Sequence, residues 1–526
     1  MANKYDVIVV GSGFGGAVTA CRLAEKGLRV LVLERGRRWD PSKYPRTAHD
    51  PWIWDENRPQ WLNGWLDLRC FPRMTVAQGA GVGGGSLIYA NVVVDARKEL
   101  FEQGWPSEIT YQELRPYYER VALMLAISPL PKNQLTERFK LTREAAEKTG
   151  HGDRFRPLPL AITFDPQWHY GLQDPHSDDH SKAWTNPHGQ QQGTCIHCGN
   201  CCLGCHVKAK NTLDLNYIPQ AEKHGAEVRP LHLVQRLEPT DGEYQVHFDR
   251  LDRGKRIAGQ ERARYVILAA GSLSSTELLL RCRDQYRTLP KVSQFLGRNW
   301  SSNGDFLTPA IYRGRKVSPT QGPTISCAID FLDGSQQGEK FFIEDGGFPN
   351  AIGNHFERHA STRGLNPKFR MILRAMGNLV SSGDPLHTVM PWFAQGIDAA
   401  DGRLRLGRAW WAPWRRKLKL DWRFRNSRGT IEAIVSMHKQ LAAAGGGVPM
   451  VPASWSLAKV LVTPHPLGGC NMGTSQDNGV VDHRGAVFGY PGLYVADGAI
   501  IPKAIGLNPS KTIAALAERI ADHFEA

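Results

Sequence analysis

The chain lacks any apolar run approaching the roughly 20 residues that a membrane-spanning helix needs. It has no low-complexity tract and no internal repeat at the periods of solenoids or propellers. Zinc-finger spacings, basic helices and RNA-binding signatures are missing, so nucleic acid is not an expected partner. The opening residues do not read as a signal peptide: Val7 to Val10 is a short apolar run, Asp6 abuts it, and a glycine-rich turn follows. Acidic residues are the scarcer charge, 51 against 65 basic ones, for a net charge of +14. That balance favours anionic surfaces, lipid head groups or acidic partners without naming one, and a solvated basic surface is the readier explanation. The expected location is the cytoplasm, where structural disulfides are rare.

What is present is a long chain of ordinary globular composition. Its 526 residues are 41% hydrophobic and 22% charged, enough for a large core and more than one structural unit. Residues 5–10 (YDVIVV) predict a buried parallel strand. GSGFGG follows, then a helix over Ala17 to Lys26 and a strand over Leu28 to Leu33 that ends on Glu34. A second glycine-rich stretch, GAGVGGGS, occupies residues 79–86. Thr110 and Glu113 predict a capping box at the start of a helix over 110–126. Residues 151–194 read as irregular loop, and strand and helix alternate near 226–280, with a buried strand over Tyr265 to Ala270 and a helix opening at Gly271 to Ser275. Residues 300–455 carry strand-like alternation and Trp-rich stretches that fit an antiparallel sheet. A strand over Leu493 to Ala496 and a helix from about Ser510 return to the opening style.

Gly11, Gly13 and Gly16 form G-x-G-x-x-G between a strand and a helix. The first glycine permits the tight turn. The second lets a pyrophosphate approach the backbone at a helix N-terminus, and the third lets helix and strand pack closely. Phe14 and Gly15 lie in the same turn, and Glu34 at the end of the second strand can accept hydrogen bonds from a ribose diol. With strand, helix and acid all in register, the pattern marks a dinucleotide site. It does not by itself choose between FAD and NAD.

Other segments resemble the glucose–methanol–choline (GMC) oxidoreductases. GAGVGGGSLIYANVVV (79–94) resembles the family's flavin-contacting segment, and YVILAAGSLSSTELLL (265–280) its returning strand and helix. HPLGGC (465–470) and DHRGAVFGYPGLYVADGAIIPKAIGLNPSKTIAALAER (482–519) resemble its C-terminal part. HPLGGC, the GLNPS turn and the GWP…PYY segment at 104–118 point to the cholesterol oxidase-like branch, while about 300–460 matches less clearly.

The resemblance implies an α/β fold: a Rossmann-like FAD-binding domain in the GMC manner, with an interleaved substrate domain built on an antiparallel sheet. The FAD-binding domain is expected to be discontinuous, over 1–100, 210–300 and 460–526. The substrate domain would take 101–209 and 301–459, including a Cys-rich loop at 195–205. FAD is the implied cofactor. Gly83, Gly84, Gly85 and Ser86 would cradle the flavin, with Asn91 near its N5 edge. Val234 would meet the adenine, and Asp497 and Gly498 the ribityl–pyrophosphate region.

The implied reaction is oxidation of a CH–OH group by hydride transfer to the flavin, on a bulky, apolar, sterol-like alcohol. His465 of HPLGGC matches the family's active-site histidine and, with an ordinary pKa near neutrality, is the expected base or proton relay. Asn508 of GLNPS matches the second active-site position and can touch substrate oxygen or flavin; a plain turn or cap role is the alternative. Glu344, five residues before Pro349, has the spacing of the sterol-oxidase glutamate that moves a proton during double-bond isomerisation. Asp345 competes for that role, and a solvated loop carboxylate is an equal alternative. The electron acceptor is either oxygen or a partner protein.

Five of the ten cysteines fall within eleven residues. Cys195, Cys198, Cys201 and Cys205 follow C-x2-C-x2-C-x3-C, a spacing that serves iron–sulfur clusters, with Cys202 as a fifth thiol. His206 stands where a proline usually follows, and relatives with a similar segment are usually treated as flavin-only. A zinc site and an inert structural loop are the other readings. Cys21, Cys70, Cys282, Cys327 and Cys470 are scattered and expected to be small buried apolar residues. AWWAPWRRKLKLDW (409–422) mixes Trp with Arg and Lys, which suits either peripheral contact with a membrane or a basic hairpin. Two alternatives to a sterol-like alcohol oxidation therefore stand. One is a dehydrogenase of an aromatic or long-chain alcohol that passes electrons through an iron–sulfur cluster to a partner. The other is a flavin photoenzyme on the same scaffold.

Overall fold

The structure is a computed structural model and describes residues 4–47, 49–349, 385–409, 412–456 and 459–525. Its first element is the strand Val7–Val10, all four residues buried. Parallel strands with both faces covered read as unbroken runs of Val, Ile and Leu, and VIVV, VLVL and YVIL do so here. They lie in a five-stranded parallel sheet in the order Glu227–Arg229, Val30–Leu33, Val7–Val10, Tyr265–Leu268, Leu493–Val495. Val7 pairs with Val30 on one side and Tyr265 on the other. The chain leaves Val10 for a strand on one side and finds its other neighbour two hundred and more residues later. A crevice therefore opens at the carboxyl ends of Val7–Val10 and Tyr265–Leu268, the topological position where doubly wound sheets take ligands.

The helix Phe14–Glu25 covers the sheet and packs against the helices Tyr217–Lys223 and Ser510–Asp522. Arg22 locks the last contact: its Nε and a terminal nitrogen donate to the two carboxylate oxygens of fully buried Glu518 at 2.8 and 2.9 Å. The helix over Tyr111–Met124 starts as expected, with Thr110 accepting from the Glu113 backbone at 3.1 Å. The Glu113 side chain does not complete the capping box. It pairs instead with Arg519 at 2.9 Å.

Residues 226–280 depart from the expected alternation of strand and helix. Between the parallel strands Glu227–Arg229 and Tyr265–Leu268 lies an antiparallel meander of His232–Thr240, Glu243–Asp252 and Lys255–Ala263. The period-two burial of Glu243–Asp252 explains it: one face is buried and the other meets solvent, as in a half-covered sheet. A helix follows only at Ser272–Leu280.

The second large sheet has six strands in the order Val448–Pro449, Phe306–Ile311, Val389–Gly396, Phe341–Asp345, Cys327–Asp330, Phe155–Pro157, with antiparallel neighbours. A four-stranded sheet, Leu461–Thr463, Met74–Gly79, Leu66–Phe71, Ile53–Trp54, lies alongside and carries His465 just beyond its first strand. The basic segment at 409–422 forms a hairpin, Arg403–Ala409 with Ala412–Asp421; its Trp410 and Trp411 lie outside the described residues. Among the described residues no helix is long and apolar enough to cross a membrane.

Candidate active site

A cavity of about 900 Å³ begins at the sheet crevice. Such a volume lies at the upper end for small-molecule sites and suits an extended cofactor with a substrate beside it. Gly11, Gly13, Phe14 and Gly15 line it, together with Glu34, Gly84, Gly85, Val234, Asp497, Gly498 and Asn508. Gly11 takes φ 95° and its missing Cβ would strike the Ala269 carbonyl at 2.5 Å, so the turn requires glycine. Gly85 is the opposite case: a Cβ there would meet no protein atom within 4 Å and would stand in the cavity itself. Gly16 lies buried beneath the turn and is not in the cavity wall.

Glu34 holds the turn in place. Its carboxylate accepts from the Ser12 backbone at 3.0 Å, the Ser12 hydroxyl at 2.8 Å and the Gly36 backbone at 2.8 Å. The Glu34 carbonyl accepts from His232 N at 2.8 Å, which brings the strand carrying Val234 to the same end. Asp497 accepts from Gly271 N at 2.8 Å, Ala499 N at 2.8 Å and the Ser275 hydroxyl at 2.5 Å, and burial pushes its carboxyl up. Gly83, Ser86 and Asn91 stand behind the wall. Ser86 donates to the Gly83 carbonyl at 2.7 Å and accepts from Leu213 N at 3.1 Å, which fixes the second glycine-rich turn. Asn91 is fully buried at φ 68°, and its side-chain amide has no hydrogen-bond partner among the described residues. Gln78 Oε1 and Ser274 Oγ line the cavity and also lack partners there. Buried polar atoms are paired in folded proteins as a rule, so these orphans, the open space at Gly85 and the helix N-terminus at Gly13 fit a polar, phosphate-bearing cofactor such as FAD.

At the other end the wall becomes apolar, through Leu307, Ile325, Phe393 and the prolines at 464 and 466. His465 faces this end. Its Nδ1 lies 2.9 Å from Asp305 Oδ1, and its backbone donates to Thr463 Oγ1 at 2.9 Å. Thr463 in turn donates to Asp305 Oδ2 at 2.5 Å. Asp305 is buried; burial pushes its carboxyl up while the imidazole pulls it back. Nδ1 is thereby engaged and Nε2 is left for the cavity.

Glu344 is fully buried and not itself in the wall. Gln395 Nε2 donates to its Oε2 at 2.8 Å, and Asn508 is a second hydrogen-bonding neighbour. Glu344 Oε1 and Asn508 Oδ1 have no other partner among the described residues. Burial pushes the Glu344 carboxyl up to about 8. The competitor Asp345 sits on the opposite face of the same strand. Its carboxylate accepts from Ser326 and Cys327 backbones at 2.6 and 2.9 Å and pairs with buried Arg138, a structural role.

Three residues of this arrangement escape sequence reading. Asp305 and Gln395 are described above. Asn303 is the third: its Oδ1 accepts from Ile505 and Gly506 at 3.1 and 2.9 Å, and its Nδ2 donates to the Leu507 carbonyl at 2.9 Å. It ties the turn before Asn508 to the segment that carries Asp305.

Comparison with known proteins accords with this geometry. Family models described as GMC oxidoreductase match residues 182–283 and 399–517, and a model described as an NAD(P)-binding Rossmann-like domain matches 9–46. The cholesterol oxidase of Acinetobacter baumannii is 31% identical, over 99% of this chain and 94% of that protein. The chain belongs to the GMC oxidoreductase family. A cholesterol oxidase of Mycobacterium tuberculosis (strain ATCC 25618 / H37Rv) is 32% identical, over 99% of this chain and 91% of its own length. The crystal structure of pyridoxine 4-oxidase from Mesorbium loti shares the fold, with a TM-score of 0.61, 16% identity and 99% of each chain covered. As a GMC oxidoreductase the protein is an FAD-dependent enzyme. Its glycine-rich turns and the wall at His465 and Asn508 are the segments that the sequence resemblance singled out.

Proposed function

We propose that the protein oxidises the hydroxyl of a bulky, apolar, sterol-like alcohol. The observation that carries this reading is the joining of His465, Asp305, Glu344 and Asn508 at the apolar end of the cofactor cavity. FAD, when bound along the glycine-rich turns, supplies the acceptor for a hydride. Every other task falls to the chain. His465 Nε2 accepts the hydroxyl proton, and Asp305 at Nδ1 keeps the ring in the orientation and tautomer that make Nε2 the acceptor. Asn508, in the wall just before the helix Ser510–Asp522, orients the alcohol oxygen. Leu307, Ile325 and Phe393 exclude water and take an apolar body by area alone.

Glu344 holds a proton at neutral pH, because its carboxyl titrates at about 8. A neutral acid just behind the wall, next to Asn508, can give and take a proton, which suits movement of a double bond in a sterol ketone. The names of the relatives, both cholesterol oxidases, point the same way. A non-alcohol photoenzyme gains nothing from a histidine held by a buried aspartate next to an orienting asparagine.

The test is anaerobic reduction of the flavin by a panel of sterols, long-chain alcohols and aromatic alcohols, followed by admission of air. Sterols should bleach the flavin fastest, and air should restore its colour if oxygen is the acceptor. Bleaching by aromatic or short alcohols with no response to sterols overturns the substrate assignment.

A further inference from the structure

The loop from Cys195 to Lys210 has no task in alcohol oxidation, yet it is built with care. Cys202 and Leu203 line the cofactor cavity, and the Cys202 thiol reaches Thr324 Oγ1, also in the wall, at 3.7 Å. All five thiols are free and partly buried. The loop takes a tightly turned course. Gly199 and Gly204 take φ of 72° and 92°, and His197 and Lys208 are held at φ 55°. The His197 ring is buried, stacks on Trp168 at 3.9 Å and lies 2.9 Å from Gln134 Oε1. Holding a non-glycine residue left-handed costs free energy that packing must offset.

Backbone N–H groups point at thiols: His197 N to Cys195 Sγ at 3.4 Å and Ala209 N to Cys205 Sγ at 3.2 Å. Hydrogen bonds to sulfur stabilise thiolates and tune iron–sulfur centres. Two cations are bound into the loop. Arg46 donates to the Leu203 and Gly204 carbonyls at 2.6 and 2.7 Å, and Lys210 to the Cys201 carbonyl at 2.9 Å. Lys210 is 1% exposed and has only carbonyl acceptors, Leu87, Tyr89 and Cys201, among the described residues. The buried ammonium shares its surroundings with the sulfurs of the loop and with Asp214.

Among the described residues no group of three or more His, Cys, Asp and Glu side chains is disposed around a single metal ion. That weighs against zinc, whose ligands converge on one point. A multi-iron cluster differs, because each thiolate binds its own iron across the body of the cluster.

We propose that Cys195, Cys198, Cys201 and Cys205 hold an iron–sulfur cluster just behind the cofactor-cavity wall that Cys202 and Leu203 form. For a four-iron cluster, two ferrous ions, two ferric ions and four sulfides join four thiols. Four thiol protons leave and four iron–thiolate bonds form, with no net oxidation. The proposal is independent of which alcohol the enzyme oxidises.

The whole chain, expressed in iron-replete medium and purified without air, decides the matter. Iron and acid-labile sulfide should be present in about equal amounts, and one-electron reduction with dithionite should bring up an electron paramagnetic resonance signal separate from the flavin. Cys198→Ser combined with Cys205→Ser should lose the iron while flavin content and circular dichroism persist. Cys202→Ser and Cys470→Ser should keep it. Anaerobic protein with full flavin but neither iron nor sulfide overturns the proposal, as does zinc in place of iron or iron retained by the double variant. Should the double variant not fold, the composition and resonance spectrum of the unaltered protein still give the answer.

Discussion

His465 Nδ1 and Asp305 Oδ1 stand 2.9 Å apart although 160 residues separate them in the chain. The aspartate is buried and shares its other oxygen with Thr463, so the imidazole is gripped from behind and presents Nε2 to the cavity. The pairing makes His465 more than a titratable group near a flavin. It sets which nitrogen acts.

If His465 is the base proposed above, replacing it should slow reduction of the bound flavin far more than it disturbs binding. His465→Ala is expected to lower the anaerobic reduction rate by roughly 10²–10⁴, the usual worth of a positioned acid–base group. Asp305→Asn should lower it less and shift the pH profile of reduction, since the ring loses its charged anchor. Stopped-flow absorbance with flavin content measured alongside checks both, and unchanged rates in His465→Ala would remove the residue from the mechanism.

Glu344 makes the folded protein sensitive to alkali. Its carboxyl is pushed up to about 8 by burial, against an ordinary value of 4.5. The unfolded chain therefore sheds this proton first as pH rises, and stability present below the ordinary value is lost progressively up to the raised one. Glu344→Gln removes that contribution. The difference in melting temperature between variant and parent should move in the variant's favour from pH 5 to pH 8, roughly the span of the shift. A difference that stays flat over this range would show that Glu344 titrates normally.

Gly85→Val places its side chain where no protein atom stands within 4 Å. The fold should survive, and the cofactor should not fit. Flavin binding is expected to weaken by at least about tenfold, about 1.4 kcal/mol, with circular dichroism unchanged. Normal flavin retention would show that the cofactor does not lie along this turn.

Arg22→Ala leaves Glu518 buried with only the Tyr217 hydroxyl and distant Arg120 to face it. Breaking a buried pair from one side costs about 3–5 kcal/mol. Denaturant unfolding should show a loss of that order. A loss under about 1 kcal/mol would show that this pair does not hold the two helices together.

The cofactor half of the site was legible because its demands are local. A tight turn, a helix N-terminus and an acid after the second strand sit within thirty residues, and each constrains residue type at a fixed spacing. Glu34 and Gly13 could be named from sequence for that reason. Asp305 and Gln395 could not. Nothing in SSNGDFL marks its aspartate, and Gln395 meets Glu344 only because Val389–Gly396 pairs with Phe341–Asp345. Long-range pairing leaves no spacing to read. The meander at 232–263 was missed for another reason: its alternation is spread over basic and acidic residues that resemble a surface helix when taken in short windows.

The helix Ser510–Asp522 bears on the order in which the molecule can be made. It covers Phe14–Glu25, and Leu493–Val495 closes the far side of the sheet begun by Val7–Val10. At about 5–20 residues per second, a ribosome takes roughly 25–100 s to travel from the glycine turn to the segment that shields it. During that interval the first βαβ unit has an exposed apolar helix face and an unpaired strand edge. The cofactor cavity is therefore among the first parts synthesised and the last completed.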